Sequence, residues 1–180
     1  MKKFCLFALM VICLLPAAAN AAAAIDSPVI ARFDNYYIDD AVVMLTDDAG
    51  VSRILCGGLN GSITNRFDNA PLRGVLDQIA KDNRLVLMVK QDLIVLRPAG
   101  KLAATAPITC KMSKVMPLDA LQALTAAFDM EVAIRGQLKG EVTEELSGTL
   151  KDVLDALASK YGFKWSQSRK VVRVTVAAAK

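Results

Sequence analysis

The chain is a duplication, and this limits its fold more than any single motif does. Residues 29–97 recur, in order, as residues 108–176, at an offset of 78 or 79 throughout. Leu72, Val75, Leu76, Asp77 and Ala80 match Leu150, Val153, Leu154, Asp155 and Ala158, so the pattern L-x-x-V-L-D-x-x-A occurs twice. Upstream, Asp40-Ala41-Val42 and Leu45 match Asp119-Ala120-Leu121 and Leu124, and Leu59-x-Gly61 matches Leu138-x-Gly140. Near the end of each unit, Leu85-x-Leu87 matches Phe163-x-Trp165. A unit of this size is a small domain rather than a solenoid turn. Residues 98–107, with a proline at each end and small residues between, read as a connection short enough to keep the units together. The expected division is a leader over 1–21, a first domain over 22–98, a linker over 99–107 and a second domain over 108–180.

Hydrophobic periodicity changes in the same sequence within each unit. Residues 29–33 and 108–112 alternate weakly, as strands do. Ile38, Ala41, Val42 and Leu45 follow with helical spacing, and Asp39 and Asp40 stand where a helix N-terminus favours negative charge. The counterpart begins at Pro117, a favourable first helical residue, and carries Leu118, Leu121, Leu124 and Phe128 on its inner face. Two apolar runs separated by a glycine-containing turn come next, 51–56 with 62–67 and 130–134 with 141–146, and read as strands joined by that turn. A second helix is expected with Asn69 as its cap, Pro71 in its first turn and Leu72, Val75, Leu76 and Ile79 inward. Its counterpart carries Leu150, Val153, Leu154, Leu157 and Tyr161. A hairpin over 85–96, and again over 163–176, closes each unit. The expected fold class is α+β: two tandem small domains, each β-α-β-β-α-β-β with two helices packed on small sheets. At this size each core is near the lower limit for independent stability, so contact between the units contributes.

The N-terminus has a separate purpose. Lys2 and Lys3 precede an unbroken apolar run over 4–15, Pro16 ends it, and Ala19-Asn20-Ala21 has the small-x-small form that a signal peptidase reads. The expectation is a cleaved export signal, against the alternative of an uncleaved anchor reaching Ile25. Cleavage removes Cys5 and Cys13 and leaves Cys56 and Cys110 as the thiols of an oxidising compartment. A pair there invites a disulfide, and two separately buried small hydrophobes are the other reading.

Chemistry is limited by what is missing. The chain contains no histidine, which removes His-based acid/base catalysis, His-containing triads and His-containing metal sites. Asp39, Asp40, Asp47 and Asp48 around the first helix, and Glu144 and Glu145 in a strand, are carboxylates with solvent-facing neighbours, suited to capping and solubility. No serine or cysteine has an activating neighbour in sequence. We therefore expect no enzyme, no cofactor and no metal. After loss of 1–21 the net charge is +2, low for a nucleic-acid binder, and none is expected. Charge is divided unequally, with 8 basic and 10 acidic residues over 22–100 against 12 and 8 from Lys101 onward.

The basic excess includes Lys160, Lys164, Arg169, Lys170, Arg173 and Lys180, around the closing hairpin. Such a patch suits anionic headgroups, peptidoglycan or an acidic partner, or serves only to blunt a sheet edge. Val172 and Val174 alternate with Arg173 in the last strand, which makes Arg169, Lys170, Val172, Arg173 and Val174 a candidate edge for capturing a partner strand. Phe163 and Trp165 are expected in the core.

The first helix, the strand-turn-strand with its L-x-G and the P-L-x-x-V-L-D-x-x-A second helix together resemble the secretin and TonB N-terminus short domain. Pro71, Leu72, Val75, Leu76 and Ala80 carry the resemblance in the first unit, and Leu150, Val153, Leu154 and Ala158 carry it in the second. The resemblance implies a docking module of a Gram-negative periplasm that acts by protein contact. Its partner would be a secretin or an inner-membrane assembly or regulatory component, with outer-membrane association only through that partner. The sequence ends at Lys180 with no barrel, so the expectation is an adaptor of a secretion or pilus-assembly channel, with a TonB-dependent or anti-sigma signalling relay as the alternative.

Overall fold

A computed structural model describes residues 24–91 and 93–176; the expected leader, with Cys5 and Cys13, and Lys180 lie outside these residues. The first repeat runs β1 (Pro28–Arg32), β2 (Tyr36–Tyr37), α1 (Ile38–Asp48), β3 (Ser52–Cys56), β4 (Ser62–Ile63), β5 (Arg66–Pro71), α2 (Leu72–Asp82), β6 (Leu85–Lys90) and β7 (Leu93–Pro98). The second runs β8 (Ile108–Val115), α3 (Pro117–Ala127), β9 (Glu131–Arg135), β10 (Val142–Gly148), α4 (Leu150–Tyr161), β11 (Phe163–Ser168) and β12 (Val171–Val176). The class is α+β, as the periodicity implies.

The helices form where apolar residues recur at helical spacing, and each buries that stripe. Ile38, Ala41, Val42 and Leu45 of α1 and Leu72, Val75, Leu76 and Ile79 of α2 meet in the first core. In α3 the inner face is Ala120, Leu121 and Leu124, while Leu118 turns outward and is half exposed, a correction to the expected stripe. Thr149 caps α4 through a reciprocal pair with Asp152, and Gly162 ends it in the left-handed region. Asn69 does not cap α2. The strand β5 runs directly into the helix, Pro71 occupies the cap position, and Asn69 adopts φ 56 within the strand.

The duplication extends to the backbone. Among the described residues, positive φ recurs at six matched pairs: Asn35 and Lys114, Gly50 and Asp129, Gly57 and Gly136, Gly61 and Gly140, Arg84 and Gly162, Gln91 and Arg169. The Asn35 N–H donates to Thr64 Oγ1 at 3.0 Å, and the Lys114 N–H donates to Thr143 Oγ1 at 3.0 Å. In each repeat the two apolar runs expected as a hairpin enter different sheets. In the first, β3 pairs parallel with β7 and β5 pairs antiparallel with β1; in the second, β9 pairs parallel with β12 and β10 pairs antiparallel with β8. The glycine turns therefore cross from one sheet to another instead of folding a strand back on itself.

The repeats are joined by strands. Antiparallel pairing of β3 with β8 merges the β6-β7-β3 sheet of the first repeat with the β8-β10 sheet of the second, giving five strands in the order β10-β8-β3-β7-β6. Central strands are buried on both sides. Leu55, Ile94 and Leu96 point into the first core, while Ile54, Cys56, Leu93 and Val95 point into the second. Residues 99–107 carry no helix or strand and connect β7 to β8.

Gly57 and Gly136 hold equivalent places just beyond β3 and β9, and a Cβ built on either meets Pro98 Cδ or Val176 Cβ at 2.9 Å. Gly136→Ala, at φ 103, should destabilise the fold by roughly 1–3 kcal/mol through strain and collision. Gly140→Ala, at φ 94 with nothing within 4 Å, should lose only the conformational part. Urea unfolding of the two variants side by side checks the difference.

Candidate functional site

Three features deserve comparison as sites: the junction between repeats, the outward face of the β11-β12-β9 sheet, and the strand edges left open by the topology.

At the junction, Cys56 and Cys110 stand opposite one another in the β3–β8 pair, both buried and both free thiols, with Sγ atoms 2.8 Å apart. The Gly57 N–H donates to Thr109 O at 3.0 Å, so the adjacent Cys56–Cys110 position is the non-hydrogen-bonded one, where facing side chains are closest. Contact with Cys56, followed by burial, pushes the Cys110 thiol up, so it is held protonated and is not a poised nucleophile. On the other side of the sheet, Lys111 Nζ lies 2.7 Å from Asp39 and 3.7 Å from Asp40. The Asp39 hydrogen bond raises the Lys111 pKa. Arg53 donates to Asp47 and, at 3.1 Å, to Thr46 Oγ1. Clefts of about 300 Å³ flank Lys111, one lined by Tyr37, Asp39, Thr109 and Glu145, the other by Asp40, Arg53 and Glu144. Lys111 engages Asp39 and Asp40 across the junction, while Arg53–Asp47 lies within the first repeat and Lys160–Glu144 within the second, so each of these four carboxylates has a cationic partner.

The structure separates the residues of the expected partner-binding edge. β12 is hydrogen-bonded on both sides, antiparallel to β11 and parallel to β9, so it is an interior strand and cannot accept a further one. Val172 and Val174 are buried in the second core. Arg173 faces outward from the opposite side of the sheet, Arg169 turns the hairpin at φ 54, and Lys170 Nζ bonds Asp129 at 2.6 Å. Lys160 is paired with Glu144, and Lys164 is exposed. Phe163 is buried and Trp165 packs on the same core, its Nε1 donating to Asp155 Oδ1 at 2.9 Å. The open edges of this sheet are β9 and β11.

Its outward face displays Ala133, Arg135, Lys164, Val171, Arg173 and Thr175. The matching face of the first repeat displays Ile54, Cys56, Leu93 and Val95, which the second repeat covers. That difference is visible in sequence. The runs 54–56 and 93–96 are continuously apolar, as strands buried on both faces are, whereas 133–135 and 171–174 are interrupted by arginine.

Asp129, at φ 57 just beyond α3, binds Lys101 of the connection at 2.5 Å and Lys170 of the β11–β12 turn. The two lysines hold its carboxyl down at about 2. A depressed carboxyl contributes stability above its ordinary pKa, near 3.8, and loses it as pH falls through about 2.

No protein-family model matches the chain, and no curated protein matches it.

In the Asp129→Asn variant, which keeps a side chain tolerant of positive φ, the change in stability between pH 4 and 2 should flatten relative to the unaltered protein, as read by thermal unfolding across that range. Peptide mapping of oxidised protein should find Cys56 linked to Cys110. Reduction should then lower the unfolding free energy by up to about 4 kcal/mol, the loop-closure value for this separation; free thiols under oxidising conditions would mark the pair as packing alone.

Proposed function

We propose that the protein is an exported, non-catalytic contact module of the periplasm, an accessory or adaptor of a secretin-type secretion or pilus-assembly channel at the outer membrane. The reading draws on the resemblance of both repeats to the secretin and TonB N-terminus short domain. One structural observation supports it above others: the two repeats meet by strand edges. The repeats join through β3 and β8, and the second repeat presents an open-edged sheet whose outward side carries Lys164, Arg135 and Arg173. Basic side chains beside an open edge suit an acidic protein segment, since backbone pairing supplies affinity and charge supplies orientation. The absence of histidine from the sequence removes histidine-based acid/base catalysis, in keeping with work done by contact.

A photo-crosslinker placed at exposed Lys164 and activated in intact cells should attach an outer-membrane channel subunit or its inner-membrane assembly component. Attachment to an inner-membrane anti-sigma regulator would move the protein to a signalling relay. Attachment to nothing but another copy of the chain would remove the adaptor reading.

A further inference from the structure

We infer that the open β9 edge pairs with the β1 edge of a second copy of this chain, repeating between molecules the contact by which β3 and β8 join the repeats. This concerns a second copy, and it stands or falls apart from the channel partner proposed above.

In the duplication β9 is the counterpart of β3, and β1 is the counterpart of β8. Among the described residues, β9 pairs only with β12 and β1 only with β5, so each has one free side. The backbone is in phase for the contact. The Glu131 N–H donates to Lys170 O at 2.8 Å on the β12 side, so Val132 and Ile134 direct their backbone groups to the free edge. The Phe33 N–H donates to Asn65 O at 2.8 Å on the β5 side, so Ile30 and Arg32 direct theirs outward. Carrying the β3–β8 register across sets Arg135 opposite Ala31, where Cys56 faces Cys110, and Ile134 opposite Arg32, where Leu55 faces Lys111.

Side chains then find partners on both sides of the sheet. Ile30 is 81% exposed, and Met116 and Leu118 are the apolar residues left open at the start of α3, 52% and 44% exposed. Their counterparts Thr109, Tyr37 and Asp39 line one cleft at the internal junction. The same arrangement between copies brings Ile30 onto Met116 and Leu118, covering three of the largest exposed apolar side chains at once. Arg32 takes the place of Lys111, with Leu118 where its nearer partner Asp39 stands and Asp119, which Lys90 already binds at 2.8 Å, where Asp40 stands. On the other side of the sheet, α1 of the second copy takes the place of α3. Its Asp40 and Asp47, both with more than half of the side chain exposed, come to lie over outward-facing Arg173. A contact made by two different edges is heterologous, so it adds copies head to tail until a ring closes or a filament grows.

The test is a covalent trap at the register position. The double variant Ala31→Cys, Arg135→Cys, purified and oxidised with copper phenanthroline, should run as a ladder of multimers on a non-reducing gel. The off-register pair Ala31→Cys, Glu131→Cys and the unaltered chain should stay monomeric. A monomer from the first variant, or an equal ladder from the control, overturns the inference. Sedimentation velocity gives an independent reading without new cysteines. The unaltered chain should show concentration-dependent association that Ile30→Asp, at an exposed position, reduces at least tenfold in apparent affinity. A monomer at every concentration, or association untouched by Ile30→Asp, overturns it as well.

Discussion

The pairing of β3 with β8 is the constraint on which the rest of the structure depends. Because a strand sends successive side chains to opposite faces, β3 gives Leu55 to one core and Ile54 and Cys56 to the other. With Leu93 and Val95 from β7, the first repeat supplies part of the second repeat's interior. Burial of Ile54, Leu93 and Val95 contributes ~1.5–3 kcal/mol for each side chain. That sum is comparable to the whole stability of a typical domain, about 5–15 kcal/mol. The Lys111–Asp39 pair on the other face, partly exposed, contributes at most ~1 kcal/mol. Apolar burial therefore holds the repeats together and sets their register, because a one-residue slip of β8 on β3 would turn Cys110 and Met112 out of the second core.

How much of this could be read beforehand follows from the range of each interaction. The four helices depend on local spacing and were legible, apart from Leu118. Its helix begins with Pro117 buried, and the remaining apolar positions of α3 leave Leu118 on the outer side. Most strand positions were legible too, although β2 was not and the run over 62–67 divides between β4 and the start of β5. Strand partners were not, because β3 pairs with β7 and β8, 41 and at least 54 residues away, and a glycine turn following it suggested a nearer one. The cap at Asn69 failed for a local reason, since β5 continues to the first residue of α2 and leaves no loop for a capping side chain. The pattern T-x-x-D at Thr149–Asp152 was a better cap signal in the corresponding place of the second repeat. The candidate edge failed because Val172 and Val174 alternate as an edge strand would, yet the same alternation suits an interior strand with one face in water.

Two strands with the same backbone can face different solvents, and the duplicated sequence records which does. In the first repeat the outward face of β3 and β7 is covered and reads Ile54, Cys56, Leu93, Val95; in the second it is uncovered and reads Ala133, Arg135, Val171, Arg173. A face in water must be polar enough to stay there, and arginines beside an open edge also disfavour unselective sheet growth. The basic excess of the second repeat thus has a structural origin at Arg135 and Arg173, whatever binds there.

The internal junction and the contact inferred between copies share a backbone geometry while their chemistry changes sides. Inside the molecule, one face of the joined sheet is apolar, at Ile54, Cys56, Leu93 and Val95, and the other is charged, at Lys111, Asp39 and Asp40. Between copies, the first face is charged, at Arg173 against Asp40 and Asp47, and the second is apolar, at Ile30 against Met116 and Leu118. This exchange discriminates between partners. A β1 strand in the place of β8 would set Ile30 beside Asp39 and Tyr37 and leave Ala31 in the space Cys110 fills. A β8 strand on β9 would set Cys110 against Arg135 and leave Ile30 without its apolar cover. Each edge is matched to one strand, so a fold built from two nearly identical units can join its halves in a single order and still leave a distinct contact for the next molecule.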